Sequence, residues 1–270
     1  MAKMKAAMIG FLPGGQDPYE TLAEYAKIGY SAFEGADLLL KGDAAENRKR
    51  VEDMGLKPLA VHFDTENHPA IGEIVRRAKA AGVSRAACYM GCAGAYRFNC
   101  RPDKPGYDEV MRELEMYETS AKALAEEGIT LSFHNHDAEL RQTLRGVPLL
   151  YLMAANTEYL KFEADVGWVL YGGEDPVAVL KALGSRLAAL HIKDFAEGDV
   201  TVNERDGRVN IMPNFTTPGT GLLPLKECLE TACGLGLDYA IVEQDFQRNL
   251  TQKETLTAAY LNMKETGFVE

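Results

Sequence analysis

The stretch LKFEADVGWVLYGGEDPVAVLKALGS (160–185) holds one complete structural unit. LKFEADVGWVL (160–170) is a near-continuous apolar run, as expected of a parallel strand buried on both faces. Asp175-Pro176 then supplies a helix start: a side chain that can cap the first turn, followed by a proline at the first helical position. DPVAVLKALGS (175–185) continues as a helix. Working outward, the same alternation recurs. KAAMIGFL (5–12) precedes PYETLAEYAKIG (18–29). SAFEGA (31–36) precedes AAENRKRVEDMG (44–55), and KPLAVHFD (57–64) precedes HPAIGEIVRRAKAAG (68–82). VSRAACYMG (83–91) leads through a polar loop to DEVMRELEMYETSAKALAEEG (108–128). ITLSFHNH (129–136) precedes GVPLLYLMAAN (146–156). RLAALHIKDF (186–195) leads through a second long loop to LPLKECLETACGLG (223–236). LDYAIVEQDF (237–246) precedes TQKETLTAAYLNMKETG (251–267). Eight strand–helix units in series predict an α/β protein of the closed (β/α)8 TIM-barrel type, with 1–270 as a single domain. An open doubly wound sheet is the rival. It calls for a Gly-rich phosphate loop after the first strand, and GFLPGG there is not GxGxxG.

Composition narrows the function classes. Of 270 residues, 46% are hydrophobic and 26% charged, ordinary for a globular chain with a sizeable core. The formal net charge of −11 repels phosphate backbones and anionic lipid, so neither nucleic acid nor membrane is an expected partner. The five cysteines are an odd number in a large chain, which is not a disulfide framework. Cys88 and Cys92 are spaced CxxxC with no matching pair, and are expected to be core residues. The opening apolar run is too short for a signal peptide and flows into the first strand, so the expected location is the cytoplasm.

In a TIM barrel the functional groups stand at the C-terminal ends of the strands. There the sequence places Glu34, His62 and Asp64, then His134, Asn135 and His136. Asp165 and Trp168, His191 and Lys193, and Glu243 and Asp245 follow. An apolar strand end is a poor place for an ionisable group without a partner. Residues two apart on a strand face the same way. One inward set is therefore His134, Asp165, His191 and Glu243, from the contiguous fifth to eighth strands. Two imidazoles and two carboxylates converging at a barrel mouth can ligate a divalent metal. Mixed nitrogen and oxygen donors suit Mn²⁺, Co²⁺, Zn²⁺ or Fe²⁺ better than Ca²⁺. His68 is expected merely to stand near a helix start.

FHNH (133–136), ADVGWVLYGGEDPVAVL (164–180), LHIKDF (190–195), GTG (219–221) and IVEQDF (241–246) together resemble the xylose isomerase-like TIM-barrel superfamily, in particular its sugar phosphate isomerase/epimerase group. The resemblance covers nearly the whole chain. It implies that the fifth to eighth strands each give one metal ligand, so that Asp165, His191 and Glu243 take the last three places. The first place usually holds glutamate, and here His134 stands in it. That departs from a scheme in which paired glutamates shuttle a proton on opposite faces of the substrate. Histidine at this place also resembles the inosose dehydratase branch.

The implied chemistry is proton abstraction next to a carbonyl through an enediolate. The cofactor is a divalent metal, Mn²⁺ first, with Co²⁺, Zn²⁺, Fe²⁺ or Mg²⁺ as alternatives. Glu243 is the candidate base. His134 or His136 is the group on the other face, which returns a proton or protonates a leaving hydroxyl. His136, His62, Lys193, Trp168 and Glu34 are candidate substrate contacts. The expected activity is isomerisation or epimerisation of a keto-sugar or related polyol. The alternative is a lyase that dehydrates an inosose-like cyclitol or cleaves a 3-keto sugar. An endonuclease of the same superfamily would need more metal ligands than five histidines suggest. The segments 92–107 and 196–222 are expected to close over the substrate. Dimers and tetramers are common in similar families, so a homo-oligomer is an open expectation.

Overall fold

The computed structural model describes residues 2–12, 14–65, 70–205, 208–247 and 249–270; His68 lies outside them. Eight parallel strand positions form one curled sheet. They are β1 (Lys5–Met8), β2 (Ala32–Phe33), β3 in two pieces (Lys57–Pro58 and Val61–His62), β4 (Arg85–Cys88), β5 (Thr130–His134), β6 (Lys161–Asp165), β7 (Leu187–Ile192) and β8 (Tyr239–Val242). The two pieces of β3 sit at the two ends of the hydrogen-bonded series, which runs β3-β2-β1-β8-β7-β6-β5-β4 and back to β3. Leu59 and Ala60 join them: Leu59 N donates to Phe33 O at 3.0 Å, and Ala36 N donates to Ala60 O at 2.8 Å. The sheet therefore closes on itself within one strand, and the barrel has no free edge.

Among the described residues, eight outer helices surround it: α1 (Pro18–Ile28), α2 (Ala44–Asp53), α3 (Ile71–Ala81), α4 (Tyr107–Glu126), α5 (Leu149–Asn156), α6 (Pro176–Leu183), α7 (Leu225–Gly234) and α8 (Gln252–Glu265). The two Asp-Pro starts act as expected. Asp17 caps α1 through Tyr19 N (2.9 Å), and Asp175 caps α6 through Val177 N (2.9 Å). No described helix is long and apolar enough to cross a membrane.

Two cores follow from the alternation. Side chains between sheet and helices form the large one. The barrel interior holds a small one of Ala7, Ala32, Leu59, Ala189 and Ile241. Glu34 and His191 stand two residues beyond Ala32 and Ala189, and Arg85 of β4 and Glu163 of β6 meet them there, so the interior turns from apolar to ionic towards the C-terminal mouth.

Three short helices and a ribbon decorate that mouth. The helices are Cys92–Arg97, Ala138–Arg141 and Val166–Tyr171. The ribbon, Asp194–Arg205 paired antiparallel with Arg208–Thr216, occupies most of the segment expected to be a loop at 196–222. Its root is tied down by one carboxylate. Asp194 accepts from the backbone N–H of Phe195 (2.9 Å), Gly219 (3.0 Å), Gly221 (2.9 Å) and Leu223 (2.9 Å). The GTG segment is small for this reason: a Cβ on Gly221 would stand 2.4 Å from Asp194 Oδ1.

Candidate active site

A cavity of about 430 Å³ opens at the mouth, lined on one side by His134, Glu163, His191 and Glu243. The four residues expected to share a metal do come together. One donor atom from each of His134, Asp165, His191 and Glu243 lies within 4.8 Å of the others. His134 Nε2 is 3.7 Å from Asp165 Oδ2 and 3.9 Å from Glu243 Oε2, and His191 Nδ1 is 2.9 Å from Glu243 Oε2.

The local sequence explains each placement. Asp165 ends β6 and also caps the helix Val166–Tyr171: its Oδ1 accepts from Trp168 N at 2.9 Å. That leaves Oδ2 buried with no hydrogen-bond partner, facing His134 and Lys193. Gly167 lets this helix press on the end of β7, because a Cβ there would stand 2.6 Å from Lys193 Cβ. Asn135 points away from His134 and His136, as parity requires. It stitches β5 to β6 by donating to Asp165 O (3.3 Å) and accepting from Asp165 N (3.1 Å).

Beneath the mouth, the other face of His191 meets a second cluster. Its Nε2 is 2.8 Å from Glu163 Oε1 and 3.2 Å from Glu34 Oε1. Glu163 lies 3.4 Å from His134 Nδ1, 3.6 Å from Arg85 Nη2, and accepts from Ser132 Oγ at 3.2 Å. Arg85 also pairs with Glu34 and donates to Ala188 O at 3.0 Å. Carboxylates behind imidazoles in this way orient the rings and raise their basicity as ligands.

The charges bias one another. Burial would raise the Glu163 carboxyl, but His191, His134 and Arg85 outweigh it and hold it well below the usual range. Burial likewise acts upward on Glu243, and Lys193 with the two histidines overcomes it downward. Burial pushes Asp165 up in spite of Lys193, and pushes Glu34 up with help from the Glu163 charge. Burial opposes charge on His191, yet Glu163 and Glu34 hold its proton well above the ordinary range. His136 is driven well below its ordinary value, first by burial and then by His134 and Lys193.

Of the expected substrate contacts, His62, His136, Trp168 and Glu34 line the cavity. Glu34 does so while paired with Arg85. Lys193 does not. It is 1% exposed and sits behind the wall, 3.1 Å from Glu243 Oε1, 3.0 Å from Asp245 Oδ2 and 3.6 Å from Asp165 Oδ2. Three carboxylates claim its ammonium, because a buried charge must be paired. Lys193, expected as a substrate contact, thus lies one layer back from the cavity lining. Sequence reading missed Tyr89, Phe98 and Met212 on the cavity wall, and Arg85 below it. Parity had the signal for Arg85 and Tyr89, which stand two residues before and two residues after Ala87, on one face of β4 and its C-terminal end.

A family model for the xylose isomerase-like TIM barrel matches residues 22–261. The rhizopine catabolism protein MocC of Rhizobium meliloti is 31% identical over 145 residues, 52% of this chain and 43% of that protein. An inosose dehydratase of Clostridium perfringens is 35% identical over 106 residues, 37% of this chain and 35% of that protein. The chain thus spans half or less of the length of the curated relatives it matches. Among solved structures, a sugar phosphate isomerase/epimerase from Parabacteroides distasonis superposes with a TM-score of 0.71 at 21% identity, covering 98% of this chain and 96% of that one. The IolI protein, with a bound zinc atom, gives 0.69 at 15% identity over 97% and 98%. At such identities these two speak for the fold alone. The family match over most of the chain, on a sheet that closes through β3, places the chain in the xylose isomerase-like TIM-barrel family.

Proposed function

We propose that this chain is a divalent-metal-dependent isomerase or epimerase that removes a proton next to the carbonyl of a keto-sugar or related polyol. The observation that carries this reading is Asp165 Oδ2: a buried carboxylate oxygen without a hydrogen-bond partner, inside a ring of donors from four strands. An unsatisfied buried acceptor costs about 1–3 kcal/mol, more when charged, and a cation offsets that cost. The donor set His134, Asp165, His191 and Glu243 fits such an ion, and its mixed nitrogen and oxygen character favours Mn²⁺ over Ca²⁺. The zinc atom in the IolI protein supports a divalent ion on this fold. When bound, the ion supplies Lewis-acid stabilisation for negative charge developing on a carbonyl oxygen.

The chain's own groups do the proton work. Glu243, kept ionised by Lys193 and His191, is the base. His136 is kept neutral by burial, and its Nδ1 has no partner, so it can give or take a proton elsewhere on the cavity lining. Trp168, Tyr89 and His62 supply flat surfaces for a ring. Among the described residues, no lysine or arginine lines the cavity while Glu34, Glu163, Glu243 and Asp245 do, which favours an uncharged substrate over a phosphorylated one.

A second reading, a lyase, is favoured by two observations. His134 stands where paired-carboxylate epimerases have glutamate, and the sequence relatives include inosose dehydratases. A neutral imidazole and a carboxylate lining one cavity suit loss of a β-hydroxyl as well as return of a proton. Incubation of Mn²⁺-loaded protein with a ketohexose and with 2-keto-myo-inositol in D₂O separates the readings. Deuterium at a carbon next to the carbonyl without loss of mass supports the isomerase or epimerase. A product lighter by one water supports the lyase. Stoichiometric metal with neither outcome overturns both for these substrates.

A further inference from the structure

Three segments that are distant in sequence meet at one guanidinium above the cavity. Arg97 ends the short helix Cys92–Arg97. Its Nε donates to both carboxylate oxygens of Asp137, at 2.9 and 3.1 Å. Its Nη1 donates to Asn210 Oδ1 at 3.0 Å, and its Nη2 to Ile211 O at 2.6 Å, both on the returning strand of the ribbon. Asp137 is fully buried, and its other partner is Arg141 Nε at 3.2 Å.

Each end of this clasp stands beside a side chain of the cavity wall. Phe98 follows Arg97, His136 precedes Asp137, and Met212 follows Ile211. These wall residues meet at Trp168. Its ring lies 5.9 Å from Phe98 and 5.4 Å from His136, and it shares a cluster with Met212 and Phe215. Arg97 itself does not line the cavity.

We propose that Arg97 is the positioning residue that sets the roof of the site. It fixes the ribbon, the Cys92–Arg97 helix and the end of β5 in one arrangement, and so fixes where Phe98, Met212 and His136 bound the substrate. A planar fork with five donors holds a carboxylate, a side-chain amide and a backbone carbonyl in one fixed geometry; an ammonium on a flexible stem is a compact point charge that imposes no such geometry. The clasp acts on substrate fit rather than on the metal, because none of its groups belongs to the donor ring.

Only the turnover part of the test rests on the function proposed above. Trp168 is the single tryptophan of the chain and is 1% exposed, so its fluorescence reports the roof. In the full-length protein, R97A is expected to give a several-fold rise in acrylamide quenching of Trp168, a red-shifted emission, and faster amide exchange across 209–216 while β5–β8 keep their protection. R97K is expected to fall between R97A and wild type, and N210A, which removes one ribbon contact, to change in the same direction by less. Mn²⁺ binding is expected to be unchanged in all three. With whichever of the ketohexose or 2-keto-myo-inositol is turned over, R97A raises KM more than it lowers kcat. A folded R97A with wild-type quenching and ribbon exchange overturns the proposal. If R97A does not fold, N210A with wild-type quenching overturns it. Loss of Mn²⁺ binding in R97A would also overturn it, by making Arg97 part of the metal site's support. Failure of both sugars to react counts against the function proposed above, and leaves the quenching and exchange to decide the role of Arg97.

Discussion

His191 has a cluster on each ring nitrogen, and the two clusters are neutralised differently. On the Nε2 side, Glu34 and Glu163 are answered by protein groups: Arg85 pairs with both, Ser132 donates to Glu163, and His134 Nδ1 closes the group. On the Nδ1 side, Asp165 and Glu243 share Lys193 with Asp245, and Asp165 Oδ2 still lacks a hydrogen bond. In the lower cluster each carboxylate is matched by the Arg85 guanidinium as well as by an imidazole. In the upper one a single ammonium serves three carboxylates, and Glu243 and Asp245 line the cavity as Glu34 and Glu163 do below. The same residue types therefore serve as support in one layer and as a proposed reactive surface in the next. What separates them is whether an arginine reaches them.

Substitutions in each layer can break this contrast. The largest effect is expected from E243Q in the upper layer. Solvent proton exchange into substrate should fall by about two to four orders of magnitude, the usual contribution of a general base, with thermal unfolding little changed. Near-normal exchange would take Glu243 out of that role. R85M should instead act on stability. Breaking a buried ion pair from one side costs about 3–5 kcal/mol, read as a lower urea midpoint at an unchanged slope, and a wild-type midpoint would show that the lower network is not supporting the fold. Metal should distinguish the layers next. Mn²⁺ at a hundredfold excess over its Kd should stabilise wild type by about 2.7 kcal/mol, a gain removed by EDTA and lost in D165N. Equal stabilisation of D165N would move the metal elsewhere. The smallest effect is expected where the layers touch. E163Q should weaken Mn²⁺ binding by about 10- to 100-fold, as for other groups that orient a ligating histidine; unchanged affinity would separate the two layers entirely.

Much of this was legible before any coordinates. Strand–helix alternation and the Asp-Pro caps come from local chemistry, and they anticipated all eight outer helices to within a few residues. Parity brought His134, Asp165, His191 and Glu243 to one place because it depends only on backbone geometry. What stayed hidden depends on reach across the barrel. Lys193 has the parity of a cavity residue, but its long side chain turns to three carboxylates from two other strands. Arg85 starts its strand and serves Glu34, 51 residues away in sequence. The ribbon was hidden for a different reason. Its register shifts between Ala196 and Asp199 and again between Thr201 and Asn203, which blurs the two-residue period. The pair Asp206-Gly207, between its two strands and outside the described residues, was the sequence signal that favours a hairpin.

The four N–H groups gathered on Asp194 carry a consequence for redesign. Both roots of the ribbon, at Phe195 and at 219–223, are moored to a single side chain at the end of the seventh strand. The part of the ribbon before Asn210, from 199 to 209, can then be shortened, lengthened or replaced while Asn210 and Ile211 keep their bonds to Arg97 and His191 keeps its place. The ribbon tip is in effect a cassette on a socket, and libraries built there would vary the mouth of the cavity while the ring of His134, Asp165, His191 and Glu243 stays as it is.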